Sequence, residues 1–346
     1  MKEGIIDENE RMKEILKTLT EALETFRISK TAEKKDQPAD VDVDVDVDVN
    51  VDLDQLEGML LELRDIVEQI DYARAFGAMK GLPFLLGCVQ ERQSVPKTIR
   101  LACLGILATL CQNNPPLQME LLELGSIKIL SDLFFIESSY NEDVDGTLRA
   151  KIVQAISANV RNHDMAEQVF CRVEQASSLL ETALDASQQQ QQQQQSPDVL
   201  RKRALFFLRA LVTSDSATRQ RLVTFSKCID LIMTQHYLGA DVNFEIRELS
   251  LELLNQILEQ KRSVNTILGK QNYISQTATD RIQAIQVLTG EEREYASEEL
   301  NLWEQLIAKL STAERDEPET EESPTQTLLL TNSGSSQIPL PEELPQ

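Results

Sequence analysis

The stretch IRLACLGILATLCQNNPPLQMELLELGSIKILSDLF, Ile99 to Phe134, decides the fold. Its first half sets Leu104, Leu107 and Cys111 at helical spacing, an apolar stripe that one helix face must bury. QNNPP then breaks the helix, and Pro115 and Pro116 suit the first turn of the next one, where a missing N–H costs little. Gly125 and Ser126 read as a helix stop followed by the N-cap of a third helix.

The pattern recurs downstream. Segments beginning at Leu148, Leu200 and Ile246 align with the first one, and Arg100, Arg149, Arg201 and Arg247 fall in the same place, roughly every 46–52 residues. Each arginine is followed by its own stripe: Val153, Ile156 and Val160; Leu205, Leu208 and Val212; Leu251, Leu254 and Leu258. A period near 40–47 residues is that of armadillo and HEAT repeats. One unit cannot bury its stripe alone, and stacking buries each against its neighbours in a continuous core. The expected fold is all-α, an armadillo-like superhelical solenoid over residues 53–313. Helices near 53–70 and 291–310, with the GLPFLLGCV helix, are expected at its ends. Arg100, Arg149 and Arg247 are expected to pair between units.

Outside the repeats, residues 1–30 carry one helix, with Ile15, Leu16, Leu19, Leu23 and Phe26 on its apolar side. The tract DVDVDVDVDVNVD follows; as a strand it would line up like-charged Asp on one face, so 31–52 is expected to be a disordered acidic linker. The glutamine run within 186–197 is expected to form a loop, and the Pro-, Ser-, Thr- and Glu-rich residues 314–346 a disordered tail.

Composition narrows the function. With 12 Gly, 11 Pro and 5% aromatics among 346 residues, helices are favoured over strands. A net charge of −23 repels phosphate backbones and anionic lipid, which argues against nucleic acid and membrane as partners. Cys88, Cys103, Cys111, Cys171 and Cys228 form no CxxC pair and read as reduced core thiols, which suits a cytosolic or nuclear setting. The N-terminus MKEGIIDENERMKEI lacks the apolar segment of a signal peptide. The only histidines, His163 and His236, have no metal-ligand set around them, and no phosphate-binding or nucleophile motif occurs. No catalytic residue, metal or cofactor is expected, and a helical rod of this kind binds other proteins.

Two stretches carry a family resemblance: VEQIDYARAFGAMKGLPFLLGCVQ, Val67 to Gln90, and LATLCQNNPPLQMELLELGSIKIL, Leu107 to Leu130. They resemble the cytosolic Fes-type and Hsp-binding-protein-type armadillo nucleotide exchange factors of the seventy-kilodalton heat-shock chaperone, the DnaK class. Ile70, Asp71, Ala73, Phe76, Gly81, Leu82, Leu85 and Leu86 match the family's first helix pair. Gln112, Asn113, Asn114, Pro115, Gln118, Leu122, Leu124 and Gly125 match the repeat after it, with Cys111 shifted by one. The N-terminal helix with its Asp-Val tract and the glutamine run depart from the family's pattern.

The resemblance implies a cytosolic co-chaperone, acting as a monomer, whose concave face wraps the chaperone's nucleotide-binding domain and promotes ADP release. The last helix of each armadillo unit lines that face, and positions about four apart beside the stripe are the candidate contacts. They are Gly105, Thr109 and Gln112; Gln154 and Arg161; Phe206 and Arg209; and Glu252 and Gln256. The alternative is an armadillo scaffold without exchange activity. Peptide-binding armadillo grooves carry a repeated Trp and Asn ladder, whereas the corresponding positions here include Gly105, Thr109, Gln154 and Ala158, and the single Trp303 lies outside the repeats.

Overall fold

The computed structural model describes residues 7–33, 52–139, 143, 145–173, 175–185, 198–261 and 264–315. The Asp-Val tract up to Val51, the glutamine run and nearly all of the expected C-terminal tail lie outside these; the ends of the expected linker are ordered, because α1 runs on to Glu33 and Asp52 caps α2 by accepting from the Gln55 N–H. Among the described residues every regular element is helical.

α1 (Glu8–Glu33) and α2 (Leu53–Val67) open the chain. Triplets of helices follow: α3 (Ile70–Ala78), α4 (Gly81–Gln90) and α5 (Lys97–Cys111), then α6 (Pro115–Glu123), α7 (Ser126–Ser138) and α8 (Thr147–Val160). The third triplet is α9 (Asp164–Arg172), α10 (Ala176–Leu184) and α11 (Asp198–Thr213). The fourth comprises α12 (Arg219–Thr224), α13 (Ser226–Ile232), the single turn α14 (Gln235–Leu238) and α15 (Phe244–Glu259). α16 (Val264–Leu268), α17 (Gln271–Gln286), α18 (Glu291–Tyr295) and α19 (Ser297–Arg315) complete the stack.

The long helices α2, α5, α8, α11, α15 and α19 pack on one another in chain order and form the inner layer. α4, α7, α10, α13 and α16 form a second layer in the same order, and α3, α6 and α9 run along an edge. All twelve stripe residues named above are buried, so the periodicity identified the core-facing side of the inner layer. The unit boundary differs from the one first read. The aligned segments begin at the long helix, whereas spatially each long helix closes a unit; α3 and α4 therefore belong to the unit ending in α5. A repeating pattern has a period but no origin, so alignment alone cannot set the phase.

Local chemistry explains the joints. α6 starts on Pro115 and Pro116 as expected. Gly125 adopts φ 72°, a left-handed conformation that favours glycine, and is itself the N-cap of α7. Ser126 is thus not the cap: it is the first helical residue, fully buried, and its hydroxyl accepts a hydrogen bond from Asn159 Nδ2 at 2.7 Å, tying α7 to α8. His163 caps α9, with Nδ1 accepting from the Ala166 N–H at 3.2 Å. The expected 53–70 helix breaks after Val67 and restarts at Ile70, and the 291–310 helix is interrupted at Ala296.

α1 packs on α2 and α3, buries Met12, Ile15 and Leu19, and pairs Arg11 with Glu62 through two hydrogen bonds of 2.7 Å. It shares the repeats' hydrophobic core. Four cysteines are buried and Cys171 is half-buried, and all are free thiols.

The repeated arginines are structural. Arg100 donates to Glu137 of α7 at 2.5 Å and to the Val89 carbonyl at 3.0 Å. Arg149 donates from Nε to Asp143, 3.0 Å away. Arg201 donates to the His236 carbonyl and lies over the Tyr237 ring, 4.6 Å from its centroid. Arg247 forms a two-bond fork with Glu299 of α19 at 2.6 and 2.7 Å. Arg100, Arg201 and Arg247 each bridge successive units, whereas Arg149 pairs with the loop that enters its own helix. Paired buried guanidinium groups of this kind fix one register, because breaking a pair leaves a charge unmatched in the interior.

Candidate functional site

The inner faces of α2, α5, α8 and α11 carry two adjoining cavities that share Thr109, Gln112, Gln154 and Arg203. One, of 240 Å³, adds Ser157, Arg161 and Phe206; the other, of 520 Å³, adds Arg64, Glu68, Gly105, Asn113 and Lys151. Six of the nine residues picked from the sequence therefore meet in one groove: Gly105, Thr109, Gln112, Gln154, Arg161 and Phe206. Gly105 forms its floor, and a Cβ there would meet no atom within 4 Å.

Arg209, Glu252 and Gln256 do not line these cavities. They bond one another between α11 and α15: Arg209 Nε donates to Gln256 Oε1 at 2.9 Å, and Arg209 is paired with Glu252. They lie on the same layer, further along it, as a partly exposed clasp.

Arg161 is held from two sides. Its guanidinium lies over the Phe206 ring, 4.6 Å from the centroid, an attraction between cation and ring face. Its backbone carbonyl, with that of Ala158, accepts hydrogen bonds from the buried Gln118 Nε2, each at 2.9 Å. A helix C-terminus leaves carbonyls without intrahelical partners, and Gln118 supplies the donors here. Replacing Gln118 by Ala strands both carbonyls, and we expect a stability loss of about 1–3 kcal/mol. Urea unfolding measures it, and a loss below ~0.5 kcal/mol contradicts the capping role.

The groove is basic. Burial lowers the Lys151 pKa below its ordinary value, and repulsion from Arg203 and Arg64 lowers it further; burial likewise lowers Arg161. Arg64, Lys151 and Arg203 were missed in the sequence, although Lys151 and Arg203 precede Gln154 and Phe206 by one helical turn. Extending each picked position one turn toward the N-terminus finds both. By contrast, a 580 Å³ cavity of the outer layer has its cations matched, Lys227 with Glu181 at 3.8 Å and Lys270 with Asp230 at 3.7 Å. Among the described residues, no cluster of three or more His, Cys, Asp or Glu could hold a metal ion, and no helix is long and apolar enough to cross a membrane.

No family profile matches the chain. It is 27% identical over 168 residues to the Hsp70 nucleotide exchange factor fes1 of Schizosaccharomyces pombe, a match covering 49% of this chain and 52% of that protein. It is also 27% identical over 236 residues to human Hsp70-binding protein 1, covering 67% of this chain and 56% of that one. The chain thus spans about half the length of the curated relatives it matches. Among solved structures, the designed armadillo repeat protein YIII(Dq)4CqI superposes with TM-score 0.52 at 14% identity, over 76% of this chain and 96% of that one. A second designed armadillo repeat protein, solved in complex with a (KR)4 peptide, superposes with TM-score 0.51 at 15% identity, over 75% and 95%. These likenesses show the fold. The chain is an armadillo-like repeat protein whose homologues are named Hsp70 nucleotide exchange factor and Hsp70-binding protein 1.

Proposed function

We propose that this chain is a cytosolic co-chaperone, acting as a monomer, that binds the nucleotide-binding domain of a seventy-kilodalton heat-shock chaperone and promotes ADP release. The observation that carries the reading is an open groove on the inner layer of a solenoid with these homologues. The designed protein's peptide complex favours no peptide reading here, because the groove lacks a Trp and Asn ladder and its cations would repel a basic peptide.

The mechanism needs no reacting side chain. A partner that binds the ADP-free state of the domain more tightly than the ADP-bound state lowers the affinity for ADP by the same ratio. A hundredfold effect requires about 2.7 kcal/mol of differential binding. That amount lies within the reach of a few interface contacts. Small Gly105 and Thr109 permit close backbone approach at the centre, and Phe206 and Arg161 are of the types that anchor interfaces.

The test is release of a fluorescent ADP analogue from the chaperone in the presence of the full chain. We expect release to accelerate at least tenfold. Unchanged release at saturating chain overturns the exchange reading and leaves a scaffold that binds without altering nucleotide state.

A further inference from the structure

Charge is unevenly distributed along the inner layer. Arg64, Lys151, Arg161 and Arg203 surround the groove between α2 and α11. Toward the other end, α15 and α19 together carry eight glutamates against three cations, and burial together with the nearby Glu299 and Glu298 raises the pKa of Glu248. The chain as a whole carries −23, so four cations around one groove run against its composition.

These cations are also poorly matched. Among the described residues, Lys151 and Arg203 make no ion pair. Arg161 has its Nε buried without a hydrogen-bond partner. Arg64 reaches only Glu68, at 3.9 Å, and Glu68 is the one carboxylate lining the groove. Lys151 and Arg161 are half-buried and Arg64 and Arg203 exposed; gathering cations of like sign around one groove costs free energy, which an incoming anion offsets. The lowered Lys151 pKa agrees with such a cost.

We propose that the groove is a binding site for an acidic protein segment, whose Asp or Glu carboxylates are taken by Lys151, Arg203 and Arg161. The proposal rests on the exchange-factor reading: the segment belongs to the chaperone's nucleotide-binding domain. Guanidinium groups match carboxylates in planar, two-bond geometry, and the Phe206 ring holds one of them in place. The acidic end of the layer repels the same segment, so the charge gradient sets the orientation in which the partner docks.

The test titrates the full chain onto the isolated nucleotide-binding domain at about 50 mM and about 300 mM salt, between which the Debye length shortens by more than half. R203E, K151E/R203E and the charge-keeping K151R/R203K are compared with the wild type, with thermal melting as the control for folding. At low salt we expect R203E to weaken binding at least tenfold, about 1.4 kcal/mol, and K151R/R203K, which keeps the charge but moves the two-bond fork from α11 to α8, to weaken it less than R203E does. The gap narrows at high salt. Wild-type binding that K151E/R203E leaves intact overturns this proposal alone. Absence of wild-type binding overturns the exchange-factor reading and this proposal with it. A carbodiimide, which joins amines to carboxylates in direct contact, is expected to couple Lys151 to an Asp or Glu of the domain. Coupling to this chain's own acids at 40–52, or direct binding of free ADP or inorganic phosphate to the chain that K151E/R203E abolishes, overturns it.

Discussion

Replacing Gly105 by Leu is expected to abolish action on the chaperone while leaving the fold intact. Gly105 lies inside α5, on the groove floor, and a Cβ there meets nothing within 4 Å. Within the chain, the first carbon of a side chain at this position therefore meets no packed neighbour. Leucine is also the better helix former, by about 0.8 kcal/mol, so stability should hold or rise slightly. A partner lying against the floor, however, meets several new heavy atoms where it had contact with backbone. We expect binding at least a hundredfold weaker, about 2.7 kcal/mol, and loss of the accelerated ADP release. Titration calorimetry with the isolated nucleotide-binding domain and thermal melting separate the two effects. Full binding by this variant would place the partner away from α5.

Glu299 is expected to hold the C-terminal unit together. Its buried carboxylate accepts two hydrogen bonds from Arg247, two from Arg281 at 3.0 and 2.9 Å, and one from Trp303 Nε1 at 3.2 Å. Replacing it by Ala leaves the Arg247 guanidinium buried and unmatched, with a cost of about 3–5 kcal/mol. In a repeat stack each unit contacts only its neighbours. Amide exchange should therefore quicken in α15, α17 and α19 before it does in α5 and α8. A loss below ~1 kcal/mol, or uniform exchange, contradicts this.

The same carboxyl predicts a pH dependence. Burial alone raises its pKa, but the hydrogen bonds and charges of Arg247 and Arg281 outweigh burial and leave it below the ordinary glutamate value. A carboxyl lowered on folding contributes stability that is fully present above its unfolded pKa, about 4.3. That contribution is lost as pH falls through the lower folded value. Wild type should lose more stability than the Ala variant as the medium is acidified below about pH 4.

Much of this architecture was legible because its causes are local and periodic. The four stripes behind Arg100, Arg149, Arg201 and Arg247 are buried as their spacing requires. Gln118 belongs to the stretch that carried the family resemblance, and its double bond to the α8 carbonyls gives that glutamine a physical task. What escaped depends on contacts across units. Arg209, Glu252 and Gln256 obey the same spacing rule as the groove residues, yet they bond to each other across 43 and 47 residues. No spacing within one helix can reveal that. Arg64, Lys151 and Arg203 stand on three different helices, and only the packing of α2, α8 and α11 brings them to one groove. Ser126 follows a helix-stopping glycine, where a cap is the ordinary reading; only the position of Asn159 shows that its hydroxyl faces inward.

The central claim is that the chain discriminates between nucleotide states, and linkage makes this directly measurable. If the chain weakens ADP binding, ADP must weaken binding of the chain by the same factor. The dissociation constant of the full chain for the chaperone's isolated nucleotide-binding domain should therefore be measured without nucleotide and with saturating ADP. Binding at least tenfold weaker with ADP, about 1.4 kcal/mol, is expected. Equal dissociation constants in the two conditions would contradict it.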